Sequence, residues 1–151
     1  MLQRSVETKF GALFVREEAG AITATGWGHV ADGHSSPLLD DAVKQIAEYD
    51  AGTREVFDLP LKVSASQLTC AVCEEMRKIP FGETVTYGDI AKKLGVPAQA
   101  VGQACGANPI PIIIPCHRVM GAKGLTGFSG AGGVETKVLL LRHERAGGFL
   151  I

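Results

Sequence analysis

The chain has 151 residues, 46% of them hydrophobic and 21% charged, which excludes an extended disordered protein and fits one domain or two small ones. No apolar run approaches the roughly 18 residues of a membrane span, and Met1 to Gly20 lacks the features of a secretory signal, so a cytoplasmic location with free thiols is expected. The net charge of −1 argues against a nucleic-acid partner when taken alone, but residues 1–62 carry 6 Lys and Arg against 10 Asp and Glu, while residues 63–151 carry 9 against 6, so any phosphate-facing surface belongs to the second part.

Residues 1–30 contain short runs of Val, Phe, Thr and Ile broken at Gly11, at Glu17 to Gly20 and at Gly26 to Gly28, the pattern of a small antiparallel sheet of hairpins. From Ser36 to Asp50 the period changes. Leu38, Leu39, Ala42, Val43, Ile46 and Ala47 line one face of a helix, with Ser35 or Ser36 at its start and Pro37 in its first turn. A short strand is expected around Val56 to Val63. These elements make an N-terminal α/β domain over residues 1–62, in which His29 and His34 read as surface or loop side chains rather than metal ligands.

The second domain, residues 63–151, opens with a helix that places Leu68, Val72, Met76 and Ile79 on one face and ends at Pro80-Phe81-Gly82. Cys70 and Cys73 fall within it and lack the second pair that a zinc site needs. Next, Ala91, Gly95 and Val101 hold the small, turn and core positions of a helix-turn-helix, with Pro97 at the start of its second helix. That helix would expose Ala98, Gln99, Gly102 and Gln103, which are too short and neutral to read a major groove and suit a minor groove or no DNA.

Proline at 109, 111 and 115 excludes a helix from Asn108 to Pro115, so this isoleucine-rich run is expected to be extended and to deliver Cys116 on a rigid, buried track. Met120 to Gly133 is a glycine-rich loop able to cover a pocket with Phe128 and Ser129, without the spacing of a dinucleotide site. The last helix, Val134 to Arg145, is expected to bury Val138, Leu140 and Leu141, to carry Glu144 near its end and to stop at Gly147 and Gly148.

The chemistry points to Cys116. A thiol becomes a good nucleophile when a neighbouring histidine or helix N-terminus lowers its pKa from ~8.5 into the range ~3.5 to 7.5. Adjacent side chains on an extended segment point to opposite sides, so His117 needs a turn or a bridging water to serve Cys116. Glu83, Asp89, Glu135 and Glu144 are all available to orient the imidazole.

Pro115-Cys-His-Arg-Val119, preceded by Ala100-Val-Gly-Gln-Ala104 and Asn108-Pro-Ile-Pro-Ile-Ile-Ile114, and followed by Gly127-Phe-Ser-Gly130 and Lys137-Val-Leu-Leu-Leu-Arg-His-Glu144, resembles the O6-alkylguanine-DNA alkyltransferases. The resemblance covers roughly residues 64–145. It implies an RNase H-like N-terminal α/β domain, a mostly α C-terminal domain with a winged helix-turn-helix, and a monomer that needs no metal or organic cofactor. The implied reaction is irreversible transfer of an alkyl group from O6-alkylguanine in double-stranded DNA to Cys116, after the base is flipped out. His117 would act as base through a water, Glu144 would orient it, Asn108 would brace the segment, and Tyr87 would donate to the leaving guanine. Ser129 would hold the base at O6, and the carbonyls of Cys116 and Val119 would accept from its amine. Lys137, Phe128 and Arg118 would complete the substrate and DNA contacts, while Ala98, Gln99, Ala100 and Gly102 would enter the minor groove.

Two positions depart from the family pattern. Gln99 stands where an arginine usually fills the gap left by the flipped base, and Phe128 stands where an aromatic hydroxyl is often found. Three rival readings are an alkylated-base sensor without transfer, a cysteine hydrolase, and an inert buried thiol. The related sensors lack the acceptor cysteine that this chain keeps, and nothing here resembles a hydrolase signature.

Overall fold

The structure, a computed structural model, describes residues 2–31, 33–121 and 133–146. Two compact units divide the chain, Met1–Val63 and Ser64–Ile151.

In the first unit β1 (Leu2–Thr8), β2 (Gly11–Glu18) and β3 (Ala21–Trp27) form an antiparallel meander in chain order. Ala19 and Gly20 connect β2 to β3 with φ of 50° and 81°, the left-handed pair that matches the twist of a two-residue hairpin. Alternation along β2 sends Leu13, Val15 and Glu17 inward. Helix α1 (Pro37–Ala51) starts where the Ser36 hydroxyl accepts from the Leu39 amide, stops at left-handed Gly52, and packs Leu39, Ala42, Ile46 and Tyr49 toward β1 and β2.

The strand expected at Val56 to Val63 does not form. Only Leu61 bridges Ile22, between hydrogen bonds from Ile22 N to Pro60 O (2.8 Å) and from Lys62 N to Ile22 O (3.0 Å). Pro60 has no amide to extend the ladder, and the buried Gln45 amide takes both backbone groups of Asp58, at 2.8 and 3.0 Å, tying this segment to α1 instead. His29 pairs with Glu7 in solvent, and His34 forms a single bridge to Leu2.

The second unit begins with α2 (Gln67–Arg77), capped by Ser66 and buried along Thr69, Val72, Cys73 and Met76. A two-residue strand β4 (Val85–Thr86) runs parallel to β5 (Val119–Met120). Thr86 and Asp89 make a reciprocal capping box at the start of α3 (Tyr87–Leu94), which ends at Gly95 with φ of 69°. Helix α4 (Ala98–Gly106) follows directly after Pro97 and packs on both α2 and α3. Among the described residues no helix is long and apolar enough to cross a membrane.

The track from Asn108 to Pro115 is a turn, not an extended segment. Ile114 N donates to Ile110 O at 2.8 Å, and Ile112 sits at φ of 72°, a strained conformation for a β-branched side chain. An extended chain would send successive side chains to opposite sides, whereas Ile110, Ile112, Ile113 and Ile114 are all buried here, which the fold-back allows.

Helix α5 (Val134–His143) buries Thr136, Lys137, Leu140 and Leu141, so Val138, expected inside, is only half-buried. It ends because Arg145 turns to φ of 54° and the buried Ala146 donates back to Leu141 O at 3.0 Å. Gly147 and Gly148, expected to stop it, lie outside the described residues, as do Phe128 and Ser129.

Candidate active site

Cys116–Arg118 form one turn of 3-10 helix, with Cys116 N bonded to Ile114 O (2.8 Å) and Arg118 N to Pro115 O (3.0 Å). The turn fans the three side chains into different directions, and all three are buried. Asn108 closes the preceding loop: its Nδ2 donates to Ile114 O at 3.0 Å and its Oδ1 accepts from Ile110 N at 3.0 Å. The Cys73 thiol also points at Asn108 Oδ1, at 3.9 Å. On the other side Lys137, fully buried, donates to Val119 O at 2.6 Å, and its ammonium lies 5.9 Å from the centre of the Tyr87 ring.

Of the four carboxylates the sequence offers, Glu144 is the one at the site. His117 Nε2 lies 2.7 Å from Glu144 Oε2, and Arg118 forks onto the same group through Nε to Oε1 (2.7 Å) and Nη2 to Oε2 (3.0 Å). Asp89 is committed to capping α3, and Glu83 and Glu135 are exposed. Burial alone would raise the Glu144 pKa, but its bonds to His117 and Arg118 outweigh this and hold the carboxyl well below the usual range.

Burial is also the largest influence on His117 and pushes it below 6.5, with Glu144 opposing and Arg118 and Lys137 adding to the depression. A neutral imidazole against an ionised carboxylate carries its proton on Nε2, leaving Nδ1 as a lone-pair acceptor. Buried Nδ1 has no hydrogen-bond partner among the described residues. The Cys116 thiol is pushed up by burial, with only partial relief from Asn108 and Lys137. Desolvation of the thiolate therefore exceeds what Asn108 and Lys137 return, and His117 is not among the groups that lower the thiol. Burial likewise lifts Cys73 to about 11 and Cys105 to about 12.

A separate concavity of about 590 Å³ is lined by Thr86, Tyr87, Gly88, Ala98, Gln99, Gly102 and Gln103. Ala98, Gln99 and Gln103 are exposed, while Ala100 and Gly102 are half-buried, and α4 carries no charged side chain. Tyr87 therefore borders this surface and also approaches Lys137.

Residues 67–146 match the family model described as "6-O-methylguanine DNA methyltransferase, DNA binding domain". The chain belongs to this family. It is 37% identical to the constitutive methylated-DNA--protein-cysteine methyltransferase of Bacillus subtilis, with 93% of each chain covered. It is 47% identical over 107 residues to the protein of that name in Mycolicibacterium paratuberculosis, an alignment spanning 69% of this chain and 64% of the relative. Mycobacterium tuberculosis OGT, solved in complex with DNA, superposes with a TM-score of 0.84 at 36% identity, over 99% of this chain and 98% of that one.

Within this methyltransferase family member, Cys116, His117, Glu144, Asn108, Lys137 and Val119 converge, and Tyr87 stands beside them. Arg118, expected among the DNA contacts, does not face the α4 surface: it is buried, and its Nη1 donates to Ile79 O at 2.6 Å while its Nε and Nη2 bind Glu144. An exposed guanidinium is the ordinary expectation, and here a buried carboxylate 26 residues away compensates the charge. The bond from Lys137 to Val119 O had no signal in the sequence beyond a cation on the apolar side of α5.

Because burial lowers the His117 pKa in the fold relative to the unfolded chain, the unfolded chain binds more protons as pH falls through about 6.5. Stability should therefore drop on acidification from about pH 7.5 to about 5.5 more steeply than in His117→Gln. Urea unfolding across that range checks this, and parallel profiles for the two proteins would contradict a neutral buried imidazole.

Proposed function

We propose that the chain repairs DNA by moving the alkyl group of an O6-alkylguanine irreversibly onto Cys116 Sγ, once per molecule. The observation that carries this reading is the buried thiol that shares one turn with an imidazole whose Nε2 is tied to Glu144 and whose Nδ1 is free to accept a proton. The S–C bond forms as the O6–C bond breaks. His117 takes the thiol proton, through a water, and Glu144 stabilises the resulting imidazolium. Tyr87 donates toward the leaving guanine, which otherwise departs as a poor anion. None of the described residues at the site activates a water to cleave a thioether, and the protein stops after one equivalent. No metal or organic cofactor enters this chemistry.

Asn108 braces the turn that presents Cys116, and Lys137 fixes the Val119 carbonyl that, with the Cys116 carbonyl, accepts from the exocyclic amine of the base. A carbonyl oxygen has two lone pairs, so Val119 O can receive both Lys137 and the base. Ser129, outside the described residues, is assigned to the O6 edge, and Phe128, also outside them, to the other substrate contacts. Double-stranded DNA lies against the α3 and α4 surface, which is read as the helix-turn-helix of a winged domain over residues 63–151. Ala98, Ala100 and Gly102 let α4 approach the minor groove closely, and Gln99 stands at the gap left by the extruded base. Residues 1–62 are read as an RNase H-like domain. The protein acts as a monomer in the cytoplasm. Arg118 is removed from the DNA contacts because its guanidinium is consumed inside the unit. A lesion sensor without transfer has no use for this acceptor and base.

Incubation with DNA containing O6-methylguanine, or with free O6-benzylguanine, should add one alkyl group per protein on the peptide containing Cys116, read by mass spectrometry. Cys116→Ser should gain no mass yet keep binding DNA. Absence of label from both substrates, or multiple turnover, would overturn the reading.

Extruding a base costs a few kcal/mol. Gln99 can hydrogen-bond an orphaned base but lacks the charge that attracts phosphate and the plane that stacks. Gln99→Arg should therefore speed repair of duplex substrate in single-turnover kinetics, and an unchanged rate would remove Gln99 as the limiting feature.

A further inference from the structure

We propose that Arg118 is a positioning residue for the acceptor reaction: by forking onto Glu144 it balances the carboxylate and keeps His117 a neutral proton acceptor for Cys116. The inference rests on the proposed alkyl transfer and assigns a role to a residue that acts through Glu144 rather than by contact with a substrate. Its basis is geometric. Glu144 Oε1 is bonded by Arg118, and Oε2 is shared between Arg118 at 3.0 Å and His117 at 2.7 Å. The remaining guanidinium nitrogen is anchored to Ile79 O just beyond α2, with the Phe81 ring centre 5.8 Å away. The guanidinium is thus fixed on three sides and cannot reach solvent or DNA without abandoning a buried carboxylate.

A buried carboxylate 2.7 Å from an imidazole, with no other cation, draws a proton onto the ring and forms an ion pair. Such an imidazolium cannot accept the proton of a thiol. A guanidinium already paired with the same carboxylate removes the need for that second cation and makes it electrostatically costly. Among the described residues, the charged groups acting on His117 are Glu144 and Lys137 from α5 and its cap and Arg118 from its own turn. Helices α2 and α4 bring the thiols of Cys73 and Cys105, which face Cys116. Arg118 and Lys137 both oppose protonation, Arg118 by bonding Glu144 directly and Lys137 from its bond to Val119 O.

The test uses the full chain, Arg118→Met and Arg118→Lys, with folding checked by circular dichroism. The rate of Cys116 labelling by free O6-benzylguanine, which needs no DNA binding, is measured against pH. The acid limb of Arg118→Met should move up by about one pH unit or more, with about tenfold slower labelling near neutrality. Arg118→Lys should return the limb toward wild type. A merely structural role would lower the folded fraction or the overall rate and leave the limb in place, and superimposable profiles would overturn the proposal. Nitrogen NMR of histidine-labelled wild type supplies a readout that needs neither a variant nor transfer activity. It should show His117 neutral with its proton on Nε2 at pH 7, and an imidazolium there would also overturn the proposal. If neither O6-benzylguanine nor DNA containing O6-methylguanine labels wild type, the proposed function fails while the NMR result still decides the state of His117.

Discussion

The carboxylate of Glu144, buried with His117 on one oxygen and Arg118 on both, is the constraint around which the second unit closes. Placing ions in a protein interior costs several kcal/mol per charge, and the loss is recovered only when the geometry satisfies nearly every donor and acceptor. Here the guanidinium fork and the imidazole satisfy the carboxylate, and the last guanidinium nitrogen satisfies a backbone carbonyl just after α2. One side chain at the cap of α5 therefore holds the 3-10 turn of Cys116–Arg118 and the exit of α2 in register. Gly82 belongs to the same arrangement: its φ of 86° and the 3.3 Å between a Cβ built there and the Glu144 carbonyl oxygen leave little room for a side chain.

That constraint also sets the chemical character of the site. Depth from solvent raises the pKa of the thiol and lowers that of the imidazole, so burial favours the uncharged form of both. On the proposed chemistry this suits an acceptor that is used once. A standing thiolate would react with any small electrophile, whereas a protonated thiol beside a neutral base is activated only when a substrate occupies the site and the proton can move as the S–C bond forms. The α4 surface is of the opposite kind, small and uncharged, with Ala98, Gln99 and Gln103 exposed, which on the proposed function suits close approach rather than phosphate attraction.

Local periodicity made the helices legible: the apolar faces of α1 and α2, with Ser36 and Ser66 as caps, follow from residues within a turn or two of each other. Non-local partners decided what was misread. Three prolines exclude a helix between Asn108 and Pro115, but the choice between strand and turn rests on the Asn108 side chain and on burying four isoleucines at once. The run from Val56 to Val63 has strand-like residues, yet Gln45 from α1 claims the backbone of Asp58. By spacing alone Glu144 is indistinguishable from three other carboxylates, and only the family motif singled it out, because what selects it is a contact across 27 residues. Arg118 reads as a surface cation for the same reason: its partner is distant in the chain. The family motif carried the location of the site, and the structure supplied the burial and the partners that bias its protonation.

The central claim is that the acceptor rests as a buried thiol, not a thiolate. The most direct measurement is the ultraviolet absorbance of thiolate as a function of pH, taken as the difference between wild type and Cys116→Ser. The account predicts no thiolate attributable to Cys116 at neutral pH, with absorbance appearing only well into the alkaline range. A Cys116 thiolate already present at or below neutrality would contradict it.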